Sequence, residues 1–393
     1  MENRTGLFAN IIIWFGVAIS VSEIEAGISI GTANSINSLW LPLVLGHIVG
    51  GILLYYVGLI GAKTRLNAME TIISAFGKKG SKFFAILNVS QLIAWVAVLN
   101  AQGALALTGL NIPVPFALIC IFLSILIAIW VYVGFQRSSK MATGVMVLLT
   151  ILLLLLSFKL FGMINPNITL SSSSLTFWNI FEISIAMPIS WLPVISDYTK
   201  DVEKPVKATA ISAIAYTLAS LWMYVIGIEI ANIGVNIGIS QSILLAGFGI
   251  PGILILVIST VTSNFIAANS AGESAKAIYS KLNPKTVGVV VSGISAILAI
   301  SGIMDHYINF LYLIASVFAP MAAVLLVSYF LVGTTQNDNK LKYWNLFSWL
   351  IGFIVYQIAN YMDSIFLGPT LLAVIVSAVL AYIGFLIQKH WRK

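Results

Sequence analysis

Three carboxylates stand in stretches otherwise fit for lipid. Glu23 and Glu25 lie in WFGVAISVSEIEAG, residues 14–27, and Glu182 opens EISIAMPISWLPVISDYTK, residues 182–200. An acidic side chain at the centre of a membrane helix costs about 3 kcal/mol on insertion scales, so each is a candidate for function. Glu23 and Glu25 are two residues apart and diverge by about 200° on a regular helix. One can face a cavity while the other pairs laterally or reaches the interface. For Glu25 a structural hydrogen bond near the surface is the simpler reading; Glu23 and Glu182 are the candidates for a proton-coupling carboxylate.

Two further groups carry binding chemistry. In SQLIAWVAVLNAQGALAL, residues 90–107, Gln91 and Trp95 are at i and i+4 and share a helix face, with Asn100 and Gln102 less well aligned to it. An indole offers a planar stacking surface and an amide paired donors and acceptors, which suits a flat heteroaromatic ring. The pair equally suits a tryptophan packed between helices with glutamine as interhelical glue. In STVTSNFIAANSAG, residues 259–272, the adjacent hydroxyls of Thr262 and Ser263 suit a hard monovalent cation. The amides of Asn264 and Asn269 suit the polar edge of a ligand. Ser259, Thr260 and Ser270 read as small residues that permit close helix packing. Asp197, beside Lys200, reads as a structural or gating ion pair. His47, His306 and His390 fall in different segments, Cys120 has no partner, and no nucleophile–base pair or metal-ligand spacing can be assembled. Neither an enzyme nor a cofactor is expected.

The elements that must position these residues are membrane helices. Of 393 residues, 60% are hydrophobic and 8% charged, with a mean hydropathy of +1.02; soluble domains carry roughly 25% charged residues. The net charge of +7 forms no single patch, so no nucleic-acid partner is expected. At about 20 apolar residues per crossing, twelve spans are predicted: 9–33, 39–62, 82–108, 113–134, 142–163, 175–196, 207–231, 241–277, 287–303, 306–332, 343–361 and 367–388. The eighth is long enough to hold a span and an extension, and only GIMDHYIN divides the ninth from the tenth. The first run, interrupted by carboxylates, does not read as a cleaved signal peptide. Nineteen of the 20 lysines and arginines fall in loops on one side, leaving Lys159 near the other. By the positive-inside rule both termini are cytoplasmic, in the plasma membrane. The opposite loops, TGLNIP, NPNITLSSSS and NIGVNIG, are neutral and turn-rich. No extramembrane domain and no Walker-type loop is evident, which disfavours a receptor head or an ATP-driven pump.

Two spans carry the strongest helix interruptions. Span 1 has Gly16, Gly27 and Gly31 around the β-branched AISVS, and span 6 has Pro188 and Pro193 five positions apart. In lipid such breaks are tolerated only where protein or a water-filled cavity surrounds them. A shift of about 169 residues carries Ser20 to Ile189 and Trp95 to Asn264, and breaks at matching places in two halves point to an inverted-repeat secondary transporter. The repeats are read as 9–163 (spans 1–5) and 175–332 (spans 6–10), with 343–388 as two appended helices, all in one transmembrane domain.

At IWFGVAIS, at Trp95 with GALAL, at DYTK and at TSN with AAN the chain resembles the nucleobase–cation symporter family of purine–cytosine permease type. Within it, SEIEAG and PISWLPVISDYTK look most like the hydroxymethylpyrimidine and cytosine branch. The resemblance implies an all-α integral membrane protein with a LeuT-like 5+5 inverted repeat, discontinuous helices 1 and 6, and a bundle of spans 1, 2, 6 and 7 rocking against a scaffold of spans 3, 4, 8 and 9. It implies that Trp95 stacks on the ring, that Ser20 lies beside it, and that Asn264, with Asn269 in reserve, bonds its polar edge. Gln91 joins them from the face of Trp95. Sodium would sit between the carbonyls of Gly16 and Ile19 and the hydroxyls of Thr262 and Ser263. Residues Met187 to Ser190, including Pro188, would close the far side. Pro188 stands where relatives can place a second aromatic, a role Trp191 can take if the unwound stretch runs differently. The glutamates are not part of that sodium pattern, so proton coupling stays open.

The expected activity is cation-coupled import of a pyrimidine-like ring, a thiamine precursor or cytosine, by alternating access. An amino-acid or amine symporter on the same fold would not need Trp95, and a passive channel would not need the paired breaks.

Overall fold

The computed structural model describes residues 4–34, 36–110, 112–133, 135–163, 175–234, 237–333, 342–362 and 366–391. The loop NPNITLSSSS, parts of TGLNIP and NIGVNIG, the side chains of Arg137 and Lys140, and Lys340, Arg392 and Lys393 lie outside them.

The described chain is helical. Helices α1 (Leu7–Ala18) and α2 (Val21–Ala33) meet at a 51° bend. They are followed by α3 (Ile36–Thr64), α4 (Ala68–Thr108), α5 (Phe116–Val133) and α6 (Phe135–Phe161). Next come α7 (Phe177–Ser190), α8 (Ile195–Thr199), α9 (Pro205–Ala231), α10 (Ile239–Leu245) and α11 (Gly249–Ile278). The chain closes with α12 (Pro284–Ile300), α13 (Tyr307–Leu326), α14 (Tyr343–Asn360) and α15 (Gly368–Trp391). Among the described residues eight helices are long and apolar enough to cross a membrane, and nine if the bent pair α1–α2 counts as one. Helices outside that set, α7 with α8, α12 and α14, occupy the places expected for spans 6, 9 and 11.

Three boundaries differ from expectation. Helical structure before span 3 begins at Ala68, not at residue 82. An Asn67–Glu70 capping box starts it, each side chain accepting from the other's backbone N–H. Gly77, at φ 72° and ψ 172°, separates this short arm from the span proper, a conformation a Cβ disfavours. The long eighth segment resolves into α10 and α11. Gly302, left-handed at φ 88°, ends the α12 turn and lets a 3₁₀ turn, Ile303–His306, lead into α13.

Packing separates two groups. Helices α1, α2 and α3 lie against α9, and α3 also against α7 and α8. Helix α4 lies along α11 and α12, with α5 against α12. These are the expected bundle and scaffold. Helices α14 and α15 pack together, and α13 joins α7 to α15.

The glycines of the first span do not sit at its break. A Cβ on Gly27 would stand 2.3 Å from the Tyr224 carbonyl, and one on Gly31 2.8 Å from Ala231 Cβ. Both are contact points where α2 meets α9. Gly16 likewise faces Met146 of α6. The bend falls within AISVS: Ile19 leaves the helix at ψ 89° and Ser20 is extended at φ −142°, ψ 152°. Local hydroxyl chemistry supports it, since Ser20 Oγ accepts from the Glu23 N–H at 3.4 Å as the N-cap of α2.

Candidate functional site

The second break follows from proline arithmetic. Helix α7 runs through Pro188, whose ring packs where Gly50 of α3 leaves room. One turn later Pro193 has no N–H to give the Ile189 carbonyl, which takes the Leu192 N–H at 3.0 Å. The Val194 N–H turns to Trp191 O at 3.1 Å, so the Ser190 carbonyl is freed from the helix ladder. Gln91 takes it: Nε2 donates to Ser190 O at 3.2 Å and to Asn88 Oδ1 at 2.7 Å. Asn88 in turn donates to Ser274 Oγ at 2.8 Å and to Pro193 O at 3.5 Å.

The two breaks face one another across a small central cavity. The first break contributes Val17, Ser20, Ser22 and Glu23; the second contributes Met187, Ser190, Trp191 and Val194. The scaffold side is Leu92, Trp95 and Leu99 of α4 with Ser263, Ile266 and Ala267 of α11. Two indoles from opposite halves therefore wall the same space. Trp95 is braced edge-on by Phe310 at 5.3 Å and Tyr307 at 6.4 Å, and Trp191 by Trp14 at 5.8 Å.

Of the residues singled out by sequence, Ser20, Trp95, Met187, Ser190, Trp191, Ser263 and Glu23 meet at this cavity. Gln91 and Pro188 are not among its walls; one holds the broken backbone and the other packs on α3. Asn264 is buried beside the cavity, not on it, with neither amide atom hydrogen-bonded. One residue of helical rotation, about 100°, separates it from Ser263. Asn269 lies in a larger depression on the lysine-rich face, with Asp197, Glu273 and Lys276. Asp197 makes its bond to backbone, Oδ1 accepting from the Ala68 N–H at 2.8 Å. Gly16 and Ile19 lie at the end of α1, whose last carbonyls lose their i+4 donors as the chain turns extended. Thr262 donates to Ser259 O at 2.7 Å, leaving its oxygen lone pairs to accept a cation.

The carboxylates part company. Glu23 accepts from Tyr216 Oη at 2.9 Å and Ser220 Oγ at 2.8 Å, both on α9. Glu182 is absent from the cavity. It accepts from the Thr370 N–H at 2.9 Å, from Thr370 Oγ1 at 2.5 Å and from Tyr356 Oη at 3.3 Å, tying α7 to α15 and α14. Glu25 is half-buried.

Sequence reasoning passed over Ser22 and set Gln102 aside as poorly aligned with the face of Trp95. Ser22 Oγ donates to Gln102 Oε1 at 2.8 Å, joining α2 to α4, and Tyr307 Oη donates to Ser22 O at 2.7 Å. These bonds lie on the side of the cavity away from the lysine-rich face. A separate depression on that face runs along α11, past Ser270 and Ser274.

Against known proteins, the chain is 21% identical to the cytosine permease of Escherichia coli strain K12 over 333 residues, 83% of this chain and 78% of that protein. Its fold matches the inward-facing conformation of Mhp1 at a TM-score of 0.78 and 18% identity, covering 99% of this chain and 91% of that one. It also matches Mhp1, a nucleobase-cation-symport-1 family transporter, in a closed conformation with bromovinylhydantoin bound, at 0.76 and 16% identity, with coverages of 98% and 93%. Residues 1–391 match one transporter family throughout, and the chain belongs to it: the permeases for cytosine/purines, uracil, thiamine and allantoin.

Proposed function

We propose that this permease imports a pyrimidine-like ring, hydroxymethylpyrimidine or cytosine, together with a cation by alternating access. The observation that carries this reading is the cavity between the two broken helices, walled by Trp95 from the scaffold and Trp191 from the bundle. A flat ring stacks on indole faces, and the Ser20, Ser190 and Ser263 side chains and backbone with Glu23 offer its edge hydrogen-bonding partners. The cytosine permease likeness and the Mhp1 structure with a hydantoin bound support a heteroaromatic substrate.

Sodium is the proposed coupling ion. The neutral oxygens of Gly16, Ile19, Thr262 and Ser263 suit a monovalent hard cation, with Ser263 already on the cavity wall. Trp191, not Pro188, takes the second aromatic role, and Gln91 positions the broken helix through Ser190 O. Glu23, which borders the cavity, is assigned to a proton that moves in addition to sodium; Glu182 is assigned to bracing the appended helices. The repeat boundaries 9–163 and 175–332, with 343–388 appended, place one break in each half. The lysine-rich face is taken as cytoplasmic, in the plasma membrane. A depression opens on that face, and the Ser22–Gln102 and Tyr307–Ser22 bonds join α2 to α4 and α13.

The test is uptake of radiolabelled hydroxymethylpyrimidine into proteoliposomes, with unlabelled cytosine as competitor, under an imposed sodium gradient. Accumulation that sodium drives and that Trp95→Ala removes supports the reading. Sodium-driven uptake that Trp95→Ala leaves intact favours the amino-acid or amine symporter instead.

A further inference from the structure

The polar chain that begins at Glu23 does not end at Ser220. Ser220 Oγ also lies 2.9 Å from His47 Nε2. His47 Nδ1 lies 2.5 Å from Ser184 Oγ and 3.0 Å from Leu43 O, and Ser184 Oγ lies 2.6 Å from Leu43 O. The members come from α2, α9, α3 and α7, the four helices of the bundle, and all four side chains are buried. A histidine in the core of a membrane bundle is costly unless its ring nitrogens are matched, and here both are.

Proton counting along this chain is restrictive, because a serine hydroxyl has one hydrogen to donate. If Glu23 carries a proton and donates to Ser220, Ser220 donates to Nε2 of a neutral His47. Nδ1–H and the Ser184 hydroxyl then both point at Leu43 O. Every bond is matched. The proton can also reside on the ring. The Glu23 proton moves to the Ser220 oxygen as the Ser220 proton moves to Nε2, leaving a carboxylate and an imidazolium with total charge unchanged. If the proton is then lost, Ser220 cannot serve both the carboxylate and an Nδ1–H imidazole. The bonds linking Glu23, Ser220 and His47 are regained only when His47 adopts the Nε2–H tautomer and Ser184 turns its hydroxyl from Leu43 O onto Nδ1. The histidine tautomer thus records the protonation of Glu23.

We propose that Glu23, Ser220 and His47 form one proton-binding site at the edge of the central cavity, which loads and releases a proton in step with the organic substrate. This rests on the reading of that cavity as the transport site. The titratable groups facing the triad are tyrosines and one carboxylate. From α9 come Tyr216, bonded to Glu23, and Tyr224, whose ring stands edge-on to His47 at 4.8 Å. From α13 comes Tyr307, bonded to the Ser22 carbonyl, and α2 adds Glu25. Helices α3 and α7 contribute serine and backbone groups, and no lysine or arginine bonds to the triad among the described residues.

Two measurements test this. In proteoliposomes, uptake of radiolabelled hydroxymethylpyrimidine and of cytosine driven by an inward proton gradient is compared with substrate exchange at equal pH. Wild type should accumulate on the proton gradient, and in His47→Gln and Ser220→Ala the ratio of proton-driven accumulation to exchange should fall at least tenfold. Exchange without proton-driven accumulation, or an unchanged ratio in both variants, overturns the proposal. If neither ring is exchanged, the substrate reading fails, and the second measurement decides. Nitrogen-15 histidine spectra are recorded on protein carrying His306→Gln and His390→Gln, so that His47 alone reports. Acidification should convert its Nε2–H tautomer to a form protonated at Nδ1, and Glu23→Gln should abolish that conversion. A tautomer fixed at all pH values, or one that changes identically with Glu23→Gln, overturns the proposal.

Discussion

Replacing Gly227 by alanine should destabilise the protein by forcing α2 away from α9. A Cβ at 227 would stand 2.1 Å from Ile24 O and 2.7 Å from Ile28 N, both backbone atoms of α2. Ordinary contact needs about 3.5 Å, so α2 must retreat from α9 by roughly 1 Å. Glu23 precedes Ile24, and its bonds to Ser220 and Tyr216 are 2.8 and 2.9 Å. The same retreat stretches them past the useful limit of about 3.5 Å. Overpacking of this kind costs about 1–3 kcal/mol, and each weakened bond to a buried carboxyl group adds about 1 kcal/mol. The expected loss is about 4 kcal/mol. Gly293 of α12 is the control, since nothing lies within 4 Å of its Cβ position. There alanine gains about 1 kcal/mol of helix propensity. Reversible unfolding in mixed detergent–SDS micelles, followed by tryptophan fluorescence, measures both. A loss below about 1 kcal/mol for Gly227→Ala would refute the claim that α2 and α9 are locked in register at this point.

Glu182→Ala removes the acceptor shared by Thr370 and Tyr356. It should cost about 3 kcal/mol in the same unfolding assay while leaving the ratio of proton-driven uptake to exchange unchanged; a changed ratio would return Glu182 to the coupling machinery. Ser263→Ala should raise the sodium concentration for half-maximal uptake at least fivefold, and an unaltered sodium dependence would move the ion elsewhere. Gln91→Leu strips the Ser190 carbonyl of its side-chain donor. It should lower the transport rate more than substrate affinity, whereas a pure affinity loss would mean that Gln91 touches the ring directly.

What composition and spacing reveal here is set by backbone economics. Membrane burial forces every amide to be paired, so the interruption in AISVS and the prolines at 188 and 193 announce broken helices without any knowledge of tertiary contacts. The exact break is harder to place. Pro188 stays helical because the site of damage is the carbonyl that a proline fails to serve four residues earlier, and Pro193 does the decisive damage at Ile189 and Ser190. The glycines of the first span mislead for a related reason: a missing Cβ serves close helix approach as readily as unwinding.

Side-chain identity was legible where chemistry is unusual, as with Trp95 and Glu23, and illegible where rotation decides. Ser263 and Asn264 differ by one position and about 100°, and only the packing of α11 on α4 says which faces the cavity. Gln91 shares a face with Trp95, yet it lies a turn away and meets the broken backbone first. His47 looked isolated in sequence. Its partners are 137 and 173 residues away, on helices whose pairing no local pattern encodes.

The central claim is that the cavity between the two breaks holds a flat heteroaromatic ring against Trp95 and Trp191. Equilibrium binding of hydroxymethylpyrimidine and of cytosine to the purified protein, by calorimetry in saturating sodium, tests it most directly. Loss of one stacked indole should cost about 1–3 kcal/mol, so Trp95→Ala and Trp191→Ala should each weaken binding by roughly ten- to a hundredfold. Binding of either ring that survives both substitutions at wild-type affinity would contradict the account.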